Sequence, residues 1–261
     1  MSSLSSIDYC SVADNAMLQS KLVIQKDDNG VTQIVPRTDT ITASTAILPA
    51  PKSTANNDEM ISTIVSNSKI LKSATTTTTS NDDKLPLKNG WSFYFYKADK
   101  QRDWKQNVIY ITSVSYVEDF WSFYTHTYGL RDLSNGSDYM IFKFGCLPMW
   151  EDLSSRGGGK WAVTIDSKKR KRDLDGYWLH LMLLLIGDIF GELSVHINGA
   201  VVSLRVKGDR LALWLKKVDD ENIIKAIGMK FKDLLGFQAK TYFVYEYHEP
   251  KIDSNEIRLT V

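Results

Sequence analysis

From residue 91 onward the chain keeps switching between two hydrophobic periods. Alternating or β-rich runs occupy 91–97, 107–111, 138–142, 160–165, 199–206, 210–215 and 241–248, which predicts seven strands. The last pair but one is joined by Lys207-Gly208-Asp209, so a hairpin with a Gly-Asp turn is expected there. Three stretches carry helical spacing instead. Ser115 and Glu118 form an S-x-x-E capping box ahead of a helix over 116–125, whose stripe is Val117, Phe120, Trp121 and Tyr124. A second helix, apolar nearly all round, runs from about residue 174 to 186 and stops at Gly187. A third begins after Asp219 or Asp220, presents Ile223, Ile224, Ile227, Phe231, Leu234 and Leu235, and ends at Gly236 as a C-cap.

Many strands with short links and three interspersed helices predict an α+β domain: one antiparallel sheet with helices on one face. The other face is left open, which suits a ligand. Nothing comparable precedes residue 84. The first 83 residues hold no tryptophan and are rich in Ser, Thr, Asn and Asp, including the run Thr75 to Thr79. Such a segment buries too little apolar area to offset its ordering entropy. The expected organisation is therefore a disordered N-terminal tail over 1–83 and one folded domain over 84–261, with short apolar stretches such as Lys21 to Ile24 available to dock on a partner.

Charge narrows the function classes. The net charge is +1, so no global field points to nucleic acid and any such site must be local. The tail holds six Lys/Arg against nine Asp/Glu, which places the positive surplus in the folded part. The two cysteines, Cys10 and Cys146, make no disulfide framework, as expected in a reducing compartment. The N-terminus shows no signal core, and the longest apolar run, Leu181 to Ile186, is too short to span a bilayer. A cytosolic protein with no membrane partner is expected, with nuclear residence also open. Catalysis finds little support: the four histidines lack metal-ligand spacing, Gly157-Gly158-Gly159-Lys160 is no phosphate-binding P-loop, and no nucleophile elbow or dinucleotide fingerprint occurs. No enzyme, metal or cofactor is expected.

The candidate chemistry is aromatic. Trp104 follows the polar stretch Lys100-Gln101-Arg102-Asp103, and Trp150 follows Leu147-Pro148-Met149; both sit in loops. A lone loop tryptophan is usually a lid on the core. Here Glu151 follows Trp150 directly. A guanine edge offers N1–H and N2–H₂ donors, and one carboxylate accepts both, while a base made cationic by N7 methylation gains a cation–π term on tryptophan faces. Arg205, Lys207 and Arg210 flank the hairpin turn, where they are either solvated surface or a grip for phosphate oxygens. Lys160 adds a further charge, and Trp214 either lines the slot or packs in the core. The run Lys168-Lys169-Arg170-Lys171-Arg172 reads as a nuclear-import or nucleic-acid patch, or as a solvated turn.

Taken together, Trp91-Ser92-Phe93-Tyr94-Phe95, Asp103-Trp104, Val117-Glu118-Asp119-Phe120-Trp121, Pro148-Met149-Trp150-Glu151-Asp152, Gly158-Gly159-Lys160-Trp161, Leu184-Leu185-Ile186-Gly187 and Gly199-Ala200-Val201-Val202 resemble the eukaryotic translation initiation factor 4E family over roughly 84–261. The resemblance implies a curved antiparallel sheet of about eight strands, three helices on its convex face and a slot for the 7-methylguanosine cap of mRNA on the concave one. By position, Trp104 and Trp150 match the tryptophans that sandwich the base, and Glu151 its reader. Arg205, Lys207 and Arg210 match the triphosphate grip, and Trp214 the methyl contact. Lys160 stands where an Arg is usual, keeping the charge but losing the fork.

On the convex side the resemblance implies binding of an initiation factor 4G-type scaffold and of 4E-binding proteins through a helix laid in a groove. Leu85, Pro86, Leu87, Val117, Trp121, Leu179, His180, Leu183 and Gly187 match that surface, with Trp121 expected to be exposed. Leu85 replaces a usual His and His180 a usual acid, so partner choice departs from the pattern. The family's C-terminal regulatory Ser has Ser254 as its weak counterpart. A repressor-type homologue carries Tyr at the position of Trp104, which favours the translation-promoting class. The alternatives are a paralogue that binds cap without recruiting the scaffold, and a nucleotide enzyme such as a cap hydrolase, which needs more carboxylates near Trp150 than Glu151-Asp152.

Overall fold

A computed structural model describes residues 84–99, 101, 103–249 and 259–261, together with two short strands, β1 (Leu22–Lys26) and β2 (Thr32–Pro36). β1 and β2 pair antiparallel, with Leu22 opposite Pro36, inside a unit spanning Met1–Ala50. A hairpin thus stands where composition predicts no structure. Its β-branched residues Val23, Ile24, Ile34 and Val35 favour extended backbone. The rest of the expected disordered tail, like Ser254, lies outside the described residues.

In the second unit the alternating runs become β3 (Pro86–Lys97), β4 (Val108–Tyr116), β5 (Ser137–Lys143), β6 (Gly159–Ile165), β7 (Ile197–Ser203), β8 (Asp209–Leu215) and β9 (Val244–Tyr247). They form one curved, wholly antiparallel sheet in the order β4-β3-β5-β7-β8-β6-β9. The described residues give this sheet seven strands, in keeping with the count of about eight that the resemblance implies. The terminal residues nearly supply the missing one: Phe243 and Val261 exchange both backbone hydrogen bonds at 3.1 Å, and Tyr245 N–H donates to Leu259 O at 2.9 Å.

The helices are α1 (Val117–Thr125), α2 (Asp175–Ile186) and α3 (Glu221–Leu234). The period-2 pattern decides which strand residues meet them. Phe93 of β3 packs on Phe120 and Phe123 of α1, with ring centroids 6.3 and 4.2 Å apart. Trp161 of β6 is fully buried and donates its Nε1–H to Ile224 O of α3 at 2.9 Å. A glycine inside α3 fits this contact: a Cβ on Gly228 would lie 2.4 Å from the Trp161 ring, so α3 lies this close only because that side chain is missing. The predicted capping box of α1 is not made. Tyr116 is the N-cap, and Glu118 instead accepts the Leu85 N–H at 3.1 and 3.2 Å, because the start of β3 passes within reach. Asp220 does cap α3, accepting from Asn222 N–H at 2.8 Å.

The residues of β3 and β5 between the helix-facing ones point the other way. Tyr94, Met140, Phe142 and Val201 form a cluster on the open face, joined at its edges by Tyr96, Val108, Cys146 and Trp214. Cross-strand register places these side chains side by side: Tyr94 opposes Met140, which opposes Val201.

Candidate functional site

The same register builds a polar patch beside that cluster. On the open face Lys160 of β6 lies between Trp214 of β8 and Glu246 of β9, as direct cross-strand partners. Lys160 Nζ sits 5.9 Å from the Trp214 ring centroid and 3.6 Å from Glu246. Arg210, four residues before Trp214 and so on the same face, donates to Glu246 at 2.6 Å. Arg205 reaches Asp138 of β5 through two hydrogen bonds of 2.6 and 3.1 Å. Of the four cations expected to grip a triphosphate, three already hold an acid. Lys207 is exposed and has no ion pair among the described residues.

These pairs tune the carboxylates differently. Burial pushes Asp138 above the usual carboxylate range, with Arg205 pulling against it. Burial also acts to raise Glu246, but the Arg210 hydrogen bond and charge, then Lys160, outweigh it, so its net shift is downward and it stays ionised. His248 stacks at 4.2 Å on Trp214 and is pushed down to about 4, first by burial and then by Lys160, which leaves it neutral near pH 7.

The hairpin differs from its predicted form. β7 ends at Ser203, and residues 204–208 form a longer turn with Gly208 at φ +155°. Asp209, fully buried, takes the Arg205 N–H at 3.0 Å and a two-pronged contact from Arg170 at 2.5 and 2.7 Å. Arg170 also donates to Arg205 O at 3.0 Å. Arg170 therefore leaves the solvated turn predicted for the basic run and acts as a brace for the turn that carries Arg205 and Lys207.

Tryptophan exposure separates structural from candidate binding residues. Trp91, Trp161 and Trp178 are buried, Trp121 and Trp214 half-buried, and only Trp104 and Trp150 are largely open, at 41% and 45%. Neither behaves as a lid on the core. Trp104 opens a short 3-10 turn between β3 and β4 and leans on Tyr96 at 6.0 Å, 33° from parallel. That turn is fixed by the buried Asn107 amide, which donates to Asp99 O at 3.0 Å. Trp150 lies in the β5–β6 loop. Asp152 folds this loop by accepting the Ser154 N–H at 3.0 Å, and the buried Asn198 of β7 donates to Ser154 O at 2.7 Å.

Glu151 lies between the tryptophan and this anchor. Its Oε2 is buried and accepts no hydrogen bond among the described residues. A buried carboxylate oxygen without a donor is costly unless something else supplies one. The following glycines serve packing: a Cβ on Gly158 would stand 2.3 Å from Leu215 O, and one on Gly159 2.6 Å from Glu246 O.

On the helical side, Val117 N–H donates to Leu85 O at 2.9 Å and Lys84 pairs with Asp119 at 2.7 Å, so Leu85, Pro86 and Val117 come together beside α1. Leu179, Leu183 and Gly187 follow one another at helical spacing along and just past α2, and the salt bridge of Lys88 with Asp188 ties β3 to the end of that helix. Exposure is uneven. Leu85 and Pro86 are open and Leu87 and His180 half-buried, whereas Val117, Leu179, Leu183 and Gly187 are buried. Trp121, expected to be exposed, is half-buried because Phe120 and Tyr124 pack edge-on against it at 5.2 and 6.0 Å. Burial pushes His180 down, so it is neutral near pH 7.

Sequence reasoning missed Asp138, Glu246, His248, Asn198 and the Arg170–Asp209 brace. Alternation places Glu246 on a strand face, but only the non-sequential β6–β9 pairing sets it beside Lys160. Among the described residues no group of three or more His, Cys, Asp or Glu is placed to hold a metal, and no helix is long and apolar enough to cross a membrane.

Comparison with known proteins agrees with this geometry. Residues 86–260 match the family model described as eukaryotic initiation factor 4E. The chain is similar to the eukaryotic translation initiation factor 4E of Xenopus laevis, 37% identical over 198 residues, covering 76% of this chain and 87% of the relative. It is 42% identical to the Aplysia californica factor over 165 residues, covering 63% of this chain and 77% of that one. Among solved structures it is similar to Ascaris suum eIF4E-3 in complex with an m2,2,7G cap, with TM-score 0.65, 36% identity and coverage of 68% of this chain and 98% of that one. Caenorhabditis elegans eIF4E-3 with the 4E-binding protein Mextli and a cap analogue is similar at TM-score 0.60 and 36% identity, covering 65% of this chain and 98% of that one.

Proposed function

This chain belongs to the eukaryotic initiation factor 4E family, and on that premise we propose that it binds the 7-methylguanosine cap of mRNA and recruits a 4G-type scaffold to begin cap-dependent translation. The observation that carries the reading is Glu151. Its buried, undonated Oε2 follows a half-open tryptophan, and the guanine N1–H and N2–H₂ are the donors it lacks. Trp104 and Trp150 stack on the methylated base, where the cation adds to dispersion. Trp214 meets the methyl group, and Lys160, Arg205, Lys207 and Arg210 hold the triphosphate. No catalytic step belongs to this reading, and no cofactor. The working domain begins near Lys84, and the absence of a cysteine framework fits action in the cytosol, with the nucleus also accessible.

The test is a tryptophan-fluorescence titration with 7-methyl-GTP against GTP. Strong quenching by the methylated nucleotide alone is expected; equal or absent binding of the two removes the cation–π slot.

Glu246 makes the grip weaker than its four cations suggest. Its charge repels the phosphates and competes for Arg210 and Lys160. Glu246→Gln is expected to tighten 7-methyl-GTP binding by about 2- to 5-fold, from roughly 0.5–1 kcal/mol for a part-exposed charge contact. The gain should be smaller for 7-methyl-GMP. Weaker binding in this variant would show that Glu246 mainly orients the two cations.

For the scaffold, the surface of Leu85, Pro86, Trp121 and His180 receives an amphipathic helix. Trp121→Ala is expected to leave 7-methyl-GTP affinity unchanged while reducing binding of a scaffold-derived helical peptide by about 10-fold or more, the loss of an interface anchor. Parallel loss of both would indicate a folding defect. Cap binding with no peptide binding in the unaltered protein would favour a repressor role.

A further inference from the structure

The basic run over 168–172 has no part in the slot, yet it is fixed directly against it. Ser167 Oγ donates to Val206 O at 3.2 Å, and Arg170 is bound to Asp209 and to Arg205 O, so both ends of the phosphate-gripping turn touch this segment. Lys168 therefore follows immediately on a residue hydrogen-bonded to the neighbour of Lys207. Both lysines are exposed, and neither has an ion pair among the described residues. Arg172 is 72% exposed and holds its neighbour Asp173 through two hydrogen bonds of 2.6 and 2.9 Å. Of the acids nearby, Asp209 is buried under Arg170, and Asp166 takes the Lys168 N–H at 3.0 Å while keeping its own charge.

Cations held within about one Debye length of each other, roughly 8 Å at physiological salt, repel one another until a polyanion joins them. A cap carries its triphosphate into this turn, and the RNA that follows is a chain of further phosphates. We propose that Lys168 and Arg172, exposed at the two ends of the 168–172 run, continue the triphosphate grip into a track for the backbone of single-stranded RNA immediately after the cap. The proposal rests on the cap-slot reading. The helical turns holding the run, Ser167–Lys169 and Arg170–Leu174, and the engagement of Arg170 in the brace leave no extended basic peptide for a transport receptor to read.

Backbone contacts of this kind carry no sequence preference and are read from salt dependence, with a slope of about −0.7 in log K against log salt per phosphate neutralised on a single strand. The experiment compares 7-methyl-GTP with a short capped RNA oligonucleotide over about 50–200 mM salt. It uses the full chain and the double variant Lys168→Ser, Arg172→Ser, which keeps the Arg170 brace. The unaltered protein is expected to bind the oligonucleotide more tightly than 7-methyl-GTP and with a steeper slope. The variant should lose that extra affinity and extra slope while binding 7-methyl-GTP as before. Equal slopes for the two ligands in the unaltered protein, or a variant that keeps the oligonucleotide's slope, overturns the track. If the variant keeps its slope but fails to accumulate in nuclei, the run belongs to a transport receptor instead. Failure of 7-methyl-GTP itself to bind overturns the slot, a separate result.

Discussion

Replacing Asp209 with alanine is expected to destabilise the folded domain by about 3–5 kcal/mol, the usual cost of leaving one member of a buried ion pair uncompensated. Asp209 is fully buried, and the Arg170 side chain is only 13% exposed. Without the carboxylate, the guanidinium keeps Asn135 and the Arg205 carbonyl as acceptors but no counter-charge. The Arg205 N–H loses its acceptor as well. Set against a typical stability of about 5–15 kcal/mol, this is a large fraction. Urea unfolding should show the midpoint falling by at least about 1 M with an unchanged slope. The double variant Asp209→Leu, Arg170→Met separates a charge effect from a packing effect. Apolar replacement of both partners of a buried pair is often neutral, so it should recover most of the loss. A double variant as unstable as Asp209→Ala would mean that the brace acts through its hydrogen bonds to the turn rather than through charge balance.

This brace shows where the sequence stopped being readable. Each half lay in a recognised motif: Arg170 in a basic run and Asp209 in a hairpin turn. Basic runs and turn aspartates are ordinarily solvated, and nothing local tells that residues 39 apart will meet beneath the surface. Leu204 and Val206 continue the strand's alternation, but the strand ends at Ser203 and the Arg205 N–H goes to the Asp209 carboxylate instead of a neighbouring strand. Helices and strands were legible because their periodicity is a local property, set by which face each buries. The exposure of Trp104 and Trp150 was legible for the opposite reason, as large aromatics among polar loop residues that periodicity did not absorb.

What the sequence could not supply was pairing order. β6 lies between β8 and β9, so Lys160 is flanked by Trp214 and Glu246. One consequence is that Glu246 partly neutralises Lys160 and Arg210. A second is that His248, tilted against Trp214 at 4.2 Å, stays neutral and adds no charge beside Lys160. The same register explains the glycines at 158 and 159. They read superficially as a phosphate loop, but they are small because three strands converge there.

Trp150→Ala and Trp104→Ala are each expected to weaken 7-methyl-GTP binding by about 1–3 kcal/mol, or about 5- to 150-fold, the usual loss when an aromatic that stacks on a base is removed. Neither side chain belongs to the core, as both are more than 40% exposed, so thermal unfolding should move little. The two losses should differ in character. Trp104 leans on Tyr96, so its removal leaves an aromatic surface on that side of the slot. The Trp150 loop is held from below by Asp152 and Asn198, and among the described residues no ring packs on Trp150 to remain after Trp150→Ala. The larger loss is therefore expected at Trp150. Discrimination between 7-methyl-GTP and GTP should shrink in both variants, because a cation–π term acts only on the methylated base. Guanine reading should persist, since the Glu151 carboxylate and its backbone are untouched, and 7-methyl-GTP should still outcompete 7-methyl-ATP. Should either variant keep full affinity, the base does not lie between these rings, and the buried oxygen of Glu151 would need a different donor.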